Sequence, residues 1–366
     1  MSRQKDSNQR ISNIAPLKIK KKPSAYIAKC LSAKRLAFLF AERMITDECD
    51  YLKGRQNCSR STPRRTKTVI RSSLVFGGES HLRLRPQIFR YNEENKNGLK
   101  VNRHLYSCKS EYQQIDIFDT PEFGRVLSLD GNVMLTERDE FIYDEMITHI
   151  PMSVHKNAQD ILVIGAGDGG VVKELTRYEN VRRIDLVEMD GQVIEACRTY
   201  LPENACKLDD SRVHIYFDNA LRFIRRCKDE YDLIIVDSND PFGPSEGYFT
   251  REFYGICYNA LRDDGIMVNQ QGSPFYKHDA DAMQRSHKRI VNTFPISRVY
   301  QAHIPTYAAG YWLFGFASKK YHPIDDFDEE RWKKLHLSTR YYTTKLHVGS
   351  FYLPAYLEKM LEEVEL

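Results

Sequence analysis

The chain has 366 residues with 54 Lys and Arg, 50 Asp and Glu, and a formal net charge of +4. This length is enough for two domains and a substantial core. No apolar run reaches the roughly 18 residues that a membrane span needs, and the first residues do not read as a secretory signal. These features argue against a membrane or secreted protein and predict a cytoplasmic one.

The small net charge conceals a division along the chain. Residues 1–90 contain 21 basic and 6 acidic residues, a net of +15, whereas the rest contains 33 and 44, a net of −11. We interpret residues 1–85 as a basic, disordered extension. A targeting segment, a tail that contacts nucleic acid, and translated sequence upstream of the true start are the alternatives. The acidic remainder favours polycationic substrates.

The eight cysteines are scattered, without a CxxC pair or a Cys/His cluster. This spacing indicates free thiols in a reducing compartment and predicts no metal site.

Short alternating segments at 103–107, 112–119 and 125–129 are separated by turn signals that include Asp130-Gly131. They predict antiparallel hairpins, followed by a helix over 140–155. We therefore expect a small N-terminal antiparallel β domain over residues 86–150.

Residues 151–366 alternate apolar strands with helices, beginning with a strand at 161–164, a glycine-rich turn at 165–170 and a second strand at 184–187. The expected fold class is α/β, a Rossmann-like sheet of methyltransferase type that is mainly parallel. Further strands are predicted at 213–217, 233–236 and 265–269, and an antiparallel pair at 299–303 and 312–317 closes the sheet.

Four acidic residues, Asp168, Glu188, Asp218 and Asp237, fall at predicted strand ends. Ligands of such sheets bind outside the carboxyl ends of the strands. Asp168 lies inside the glycine turn, where a carboxylate repels a pyrophosphate and attracts a cation. The pattern predicts a positively charged nucleoside such as adenosylmethionine or a derivative.

Several motifs in order resemble the spermidine synthase family of aminopropyltransferases over residues 86–358. They are Tyr112-Gln113, 124–131 (GRVLSLDG), 137–143 (ERDEFIY), 165–170 (GAGDGG), 237–244 (DSNDPFGP), 304–307 (IPTY) and the late segment 341–354.

The resemblance implies transfer of an aminopropyl group from decarboxylated S-adenosylmethionine to an amine such as putrescine. It implies no metal or redox cofactor, and a homodimer formed through the N-terminal sheet. The implied catalytic residues are Asp237, which orients and deprotonates the amine, and Tyr143. The implied donor-binding residues are Gln113, Asp168, Glu188, Asp218 and Asn219, and the acceptor-binding residues are Asp144, Asp240, Gln270 and Tyr307.

Purely structural roles compete with some of these assignments. Asp218 has the position of a helix cap, Asp240 precedes a proline as turn residues do, and Tyr307 suits core packing. The chain also departs from the family at Asp144, where His or Gln is usual, at Ala308-Ala309, where Pro and a small residue are usual, and in 270–273, which lacks a glutamate. These departures predict a rearranged acceptor channel.

Two other functions fit the same fold. One is an S-adenosylmethionine-dependent putrescine N-methyltransferase, which the retained Asp168 disfavours. The other is a non-catalytic polyamine-binding or nucleoside-binding protein, attached to RNA by its basic tail, which the intact Asp237 and Tyr143 disfavour.

Overall fold

The structure, a computed structural model, describes residues 99–238 and 247–365. The predicted basic extension at 1–85, the start of the predicted β domain and the candidate acceptor residue Asp240 lie outside these ranges. The described residues belong to one compact unit. The three domain boundaries given above remain predictions.

An antiparallel sheet of four strands comes first in the described chain, in the order β1-β2-β3-β4. Its strands are β1 (Arg103–Lys109), β2 (Gln114–Thr120), β3 (Gly124–Leu129) and β4 (Asn132–Thr136). Asp130 and Gly131 both have positive φ, 50° and 81°, and join β3 to β4 in the tight turn that the sequence predicts.

A seven-stranded sheet follows, in the order β10-β11-β9-β8-β5-β6-β7. Its strands are β5 (Asp160–Gly165), β6 (Arg183–Val187), β7 (Val213–Tyr216), β8 (Tyr231–Asp237), β9 (Leu261–Gly272), β10 (Ile296–His303) and β11 (Tyr311–Ser318). Strands β5 to β9 pair in parallel, and β11 pairs antiparallel with both β9 and β10. The predicted fold class and the closing antiparallel pair are confirmed.

Helices cover the large sheet. They are α1 (Glu140–Val154), α2 (Gly170–Leu175), α3 (Gly191–Tyr200), α4 (Pro202–Ala205), α5 (Ala220–Ile224), α6 (Arg251–Ala260), α7 (Lys277–Val291), α8 (Glu329–Lys334), α9 (Thr344–Gly349) and α10 (Ala355–Glu365). Strand β9 is longer than predicted, and α8 to α10 were not predicted from the sequence. Among the described residues no helix is long and apolar enough to cross a membrane.

Both faces of strands β5, β6 and β8 are buried. Alternate residues of β5, such as Ile161 and Leu162, enter hydrophobic clusters on opposite faces of the sheet. The chain leaves β5 towards β6 on one side and later returns to pair β8 on the other. The carboxyl end of β5 is therefore the switch point of the sheet, where such folds bind their ligands.

Candidate active site

The glycine turn packs directly onto the end of strand β8. Gly165 has φ +81°, and a Cβ built there would lie 1.9 Å from the backbone oxygen of Asp237. The Ala166 N–H also donates to that oxygen at 3.2 Å. Only glycine allows this approach. The turn and Asp237 are therefore held together by backbone contacts, independently of their side chains.

Asp237 and Tyr143 form a buried pair. The Tyr143 hydroxyl, presented by helix α1, donates to Asp237 Oδ1 at 2.5 Å. Burial, followed by the charge of Asp168, raises the pKa of Asp237 to about 7, although the Tyr143 hydrogen bond opposes this. Burial and the charge of Asp237 hold the pKa of Tyr143 well above its usual value. The tyrosine is thus a permanent donor beside a carboxylate that titrates near neutrality.

Asp168 and Glu188 lie at the carboxyl ends of β5 and β6. The Gly170 N–H donates to Asp168 Oδ1 at 2.8 Å, and the Asp190 N–H donates to Glu188 Oε1 at 2.8 Å. Burial raises the pKa of Asp168, and it raises that of Glu188 to about 7. A Cβ at Gly167 would lie 3.0 Å from Glu188 Oε2, so the turn leaves room for this carboxylate.

Asp144 lies beneath the same turn. A Cβ built on Gly170 would lie 2.1 Å from Asp144 Oδ2, so the carboxyl group packs directly against the Gly170 Cα. The residue is 5% exposed. Burial, followed by the charge of Glu140, raises the pKa of Asp144 well above its usual value. Lys173 Nζ lies 3.2 Å from Glu140 Oε2 and brings a positive charge to this group.

Gln113 reaches the large sheet from the four-stranded sheet. Its Nε2 donates to Asp190 Oδ2 at 3.0 Å, and the Ser110 hydroxyl donates to the same oxygen at 2.6 Å. Asp190 is 2% exposed and also caps α3 through the Gln192 N–H. It ties the two sheets together two residues after Glu188.

In this structure Asn219 caps helix α5, and Asp218 precedes the cap and pairs with Arg222. Asp218 accepts from the Asn219 N–H at 2.6 Å and from Arg222 Nε at 2.6 Å. Asn219 Oδ1 accepts from the Arg222 N–H at 3.2 Å and begins α5. The structure brings both residues to the end of β7. Among the described residues, Asn219 Nδ2 donates no hydrogen bond, while Oδ1 is used for the cap.

The candidate acceptor residues converge from two loops. Gln270 is 2% exposed at the end of β9 and donates to the Ser238 carbonyl at 3.0 Å. The Tyr307 ring meets the Tyr143 ring edge-on at 6.1 Å, and its hydroxyl donates to the Met134 carbonyl at 2.6 Å. The ring of Tyr307 therefore faces the site while its hydroxyl is engaged by strand β4.

Four further side chains organise the site without having been assigned from the sequence. Asp139 is 5% exposed and accepts from both the N–H and the hydroxyl of Thr306, at 3.0 and 2.6 Å, so it holds the loop that carries Tyr307. The other three are Glu140, Lys173 and Asp190. Asp139 and Glu140 lie in the motif at 137–143 and Asp190 lies two residues after a strand-end acid, whereas Lys173 had no signal in the sequence. In the parts of the chain that the structure describes, no group of three His, Cys, Asp or Glu residues is arranged to hold a metal ion.

Comparisons with known proteins agree with this architecture. The family model described as spermine/spermidine synthase domain matches residues 140–329, and that described as spermidine synthase tetramerisation domain matches residues 89–137. The polyamine aminopropyltransferase of Clostridium beijerinckii is 58% identical over 271 residues, which are 74% of this chain and 95% of the relative. That of Alkaliphilus oremlandii is 57% identical over 75% of this chain and 97% of the relative.

Solved structures give the same result. A spermidine synthase in complex with the transition-state analogue AdoDATO superposes with a TM-score of 0.72 at 42% identity, covering 78% of this chain and 98% of the other. The spermidine synthase of Thermotoga maritima gives a TM-score of 0.70 at 42% identity, with the same coverage.

Fold and site define the class: an α/β transferase with a Rossmann-like sheet and an acidic rim at its switch point. Within that class, the chain belongs to the spermine/spermidine synthase family of polyamine aminopropyltransferases. The family suggested by the motifs is confirmed.

Proposed function

We propose that this protein transfers the aminopropyl group of decarboxylated S-adenosylmethionine to putrescine or a related amine and releases methylthioadenosine. The observation that carries the proposal is the buried Tyr143–Asp237 pair, 2.5 Å apart, beside the carboxylate of Asp168. A carboxylate with a raised pKa at the switch point, where sheets of this type bind their ligands, supports this proposal.

The chemistry needs a neutral amine. An alkylammonium titrates near the lysine value of about 10.4, so a proton must leave before attack. Asp237, with a pKa of about 7, accepts that proton, and Tyr143 holds the carboxylate in position. The amine lone pair then forms a C–N bond to the aminopropyl carbon while the C–S bond breaks. Its electron pair stays on sulfur, giving a neutral thioether, so no cofactor is required.

The donor fits the remaining rim. Glu188 binds the ribose hydroxyls, Gln113 lies against the donor and is positioned by Asp190, and Asn219 with Asp218 contacts the adenine. Asp168 pairs with the aminopropyl ammonium. Because ordinary S-adenosylmethionine carries a carboxylate at that end, Asp168 rejects it by charge repulsion.

Product identification tests the proposal. The enzyme is incubated with decarboxylated S-adenosylmethionine or with S-adenosylmethionine, each with putrescine, and products are identified by mass spectrometry. Spermidine and methylthioadenosine are expected from the first donor only. N-methylputrescine and S-adenosylhomocysteine would instead establish the methyltransferase alternative, and binding without turnover would establish the non-catalytic one. Asp237→Asn is expected to lower kcat by about 10²–10⁴-fold with donor binding retained.

The acceptor is a separate question. The loop after Ile304 contains Ala309 with φ 65°, a conformation that alanine seldom adopts, where the family usually has Pro and a small residue. We expect this loop, with Gln270, Tyr307 and Asp240, to set acceptor selectivity. Competition among putrescine, cadaverine, agmatine, norspermidine and spermidine measures it, and a clean preference for putrescine would exclude altered selectivity.

Assembly and location complete the proposal. The resemblance predicts a homodimer, and the family model matched by residues 89–137 is described as a tetramerisation domain. We expect self-association through the four-stranded sheet, and light scattering distinguishes two copies from four. A cytoplasmic location remains a prediction, which fluorescence of a tagged chain tests.

A further inference from the structure

Beneath the glycine turn lies a group of buried charges that the proposed reaction does not use. Helix α1 carries Glu140 and Asp144 one turn apart, so both side chains point the same way. Glu140 contacts Lys173 at 3.2 Å, and Asp144 packs on Gly170. The neighbouring turn residue is Asp168, whose negative charge also acts on Asp144.

The hydrogen bonding of Asp144 is incomplete if every carboxyl group is ionised. Its Oδ2 is buried and has no hydrogen-bond partner among the described residues, yet Glu140 is within hydrogen-bonding reach. Two carboxylates cannot bond to each other, because both only accept. One proton between them converts the contact into a strong hydrogen bond and removes a charge that burial makes costly.

The surrounding charges disfavour the ionised form of Asp144. The ionisable groups that face Asp144 are Glu140 on its own helix, Asp168 in the turn, Lys173 on α2, and the hydroxyls of Tyr143 and Tyr307. Arg340 approaches Glu140 from the C-terminal segment at 3.8 Å, but 60% of its side chain is exposed. Three carboxyl groups thus face one largely buried cation, Lys173.

We propose that Glu140 and Asp144 share one proton in the free enzyme and release it to solvent when the aminopropyl ammonium of the donor binds beside Asp168. The departing proton offsets the charge of the arriving ammonium, so the pocket gains only the charge of the sulfonium. Asp144 then becomes a second carboxylate facing the donor amine, next to Asp168. Asp144 is thereby assigned to the donor side, where its contact with Gly170 places it, and donor binding becomes linked to pH.

This inference rests on the proposed function and predicts a counted proton. Isothermal titration calorimetry in two buffers of different ionisation enthalpy gives the protons released per ligand bound. Decarboxylated S-adenosylmethionine is compared with methylthioadenosine, which lacks the aminopropyl arm. The wild type is expected to release about one more proton with the donor than with methylthioadenosine, and Asp144→Asn is expected to show no difference.

The donor Kd gives a second readout. Asp237 and Glu188, whose pKa values are raised to about 7, add their own pH dependence, so the comparison is between wild type and variant. Where donor binding releases this proton, the wild-type Kd for the donor should fall as pH rises. The fall should be about tenfold greater per pH unit than the fall measured for Asp144→Asn. Glu358→Gln, which changes an exposed carboxylate on α10, is the matched control and should keep the wild-type slope.

The outcomes separate the two proposals. If the wild type does not turn over the decarboxylated donor, the proposed function fails. If it does, and wild type and Asp144→Asn release equal numbers of protons, the shared proton is disproved. Should Asp144→Asn no longer bind methylthioadenosine, Glu140→Gln breaks the pair from the other side. It removes the carboxyl partner of Asp144 and leaves the positive charge of Lys173 acting on that residue, so the extra proton should again vanish; its persistence would overturn the inference.

Discussion

At the scale of single residues, Tyr143 controls the protonation of Asp237. Its hydroxyl donates to the charged carboxylate and so lowers the pKa that burial raises. Tyr143→Phe removes this opposition, so the pKa of Asp237 should rise above about 7. Activity falls where Asp237 is protonated. The acid limb of the kcat/KM profile should therefore move to higher pH, measured from about pH 6 to 9.

Tyr300→Phe is the matched control for that experiment. Tyr300 is also fully buried, and its hydroxyl donates to the Met146 carbonyl at 3.2 Å without contacting Asp237. Its loss should cost about 1 kcal/mol of stability and leave the acid limb in place. If the acid limb of the kcat/KM profile moves equally in both variants, a general loss of packing, and not the Tyr143 hydrogen bond, sets the pH dependence.

Gly165 is a second residue whose side-chain size decides the site. Alanine there would place Cβ 1.9 Å from the Asp237 carbonyl oxygen at a φ of +81°. Gly165→Ala should cost about 3 kcal/mol of stability or more and abolish turnover, because the turn must move away from β8.

Gly255 provides the control, because it lies within α6 with nothing within 4 Å of a built Cβ. Gly255→Ala should stabilise the protein by about 0.5–1 kcal/mol. Thermal melting compares the two, and equal Tm shifts would contradict the argument.

At the scale of elements, one carboxylate holds the C-terminal segment on helix α1. Glu145 is 2% exposed and accepts from three consecutive backbone N–H groups, those of Arg340, Tyr341 and Tyr342, at 2.7, 2.8 and 2.7 Å. The same helix carries Tyr143 and Asp144. The segment therefore packs against α1 two residues after Tyr143, on a different face of the helix, and fixes the rotation of the helix.

Glu145→Gln tests whether this carboxylate holds the C-terminal segment on α1. An amide offers one acceptor oxygen and directs an NH₂ group at backbone donors, so we expect a loss of about 2–4 kcal/mol and faster proteolysis after residue 319. Glu330→Gln is the control, because that carboxylate is 74% exposed and pairs only with Lys333 on its own helix. Its effect should stay within about 0.5 kcal/mol in chemical denaturation. Equal stability of the two variants would contradict the role of Glu145 in holding residues 340–342 on helix α1.

The elements also explain what the sequence could predict. Strand-end acids such as Asp168 and Asp237 were predictable because parallel strands end at one edge, and the position of Asp218 between a strand and a helix indicated a cap as the alternative to ligand binding. The contact of Asp144 with Gly170, and those of Glu145 with residues 340–342, join segments far apart in the chain. The hydrophobic periodicity of a short sequence segment does not predict contacts between distant segments. Helices α8 and α9 have six residues each, too short for a pattern to reveal.

At the scale of the whole molecule, charge separates the extension from the enzyme. The family models begin at residue 89, and 74% of this chain covers 95% of the C. beijerinckii relative. The family resemblance therefore covers the parts that carry the predicted chemistry and leaves residues 1–85 outside them. The net charge of +15 in residues 1–90 stands against −11 in the remainder, so the two regions should respond oppositely to a polyanion.

Deleting residues 1–85 should leave kcat/KM for donor and amine within about twofold of the full chain. The full chain should bind a polyanion such as heparin or single-stranded RNA, with affinity that falls steeply as salt rises, because Lys and Arg release counterions. The shortened, net-negative chain should not bind it. Activity assays and binding titrations at several salt concentrations measure both. A large loss of kcat/KM on deletion would show that the extension belongs to the active enzyme, and salt-independent binding would exclude an electrostatic role.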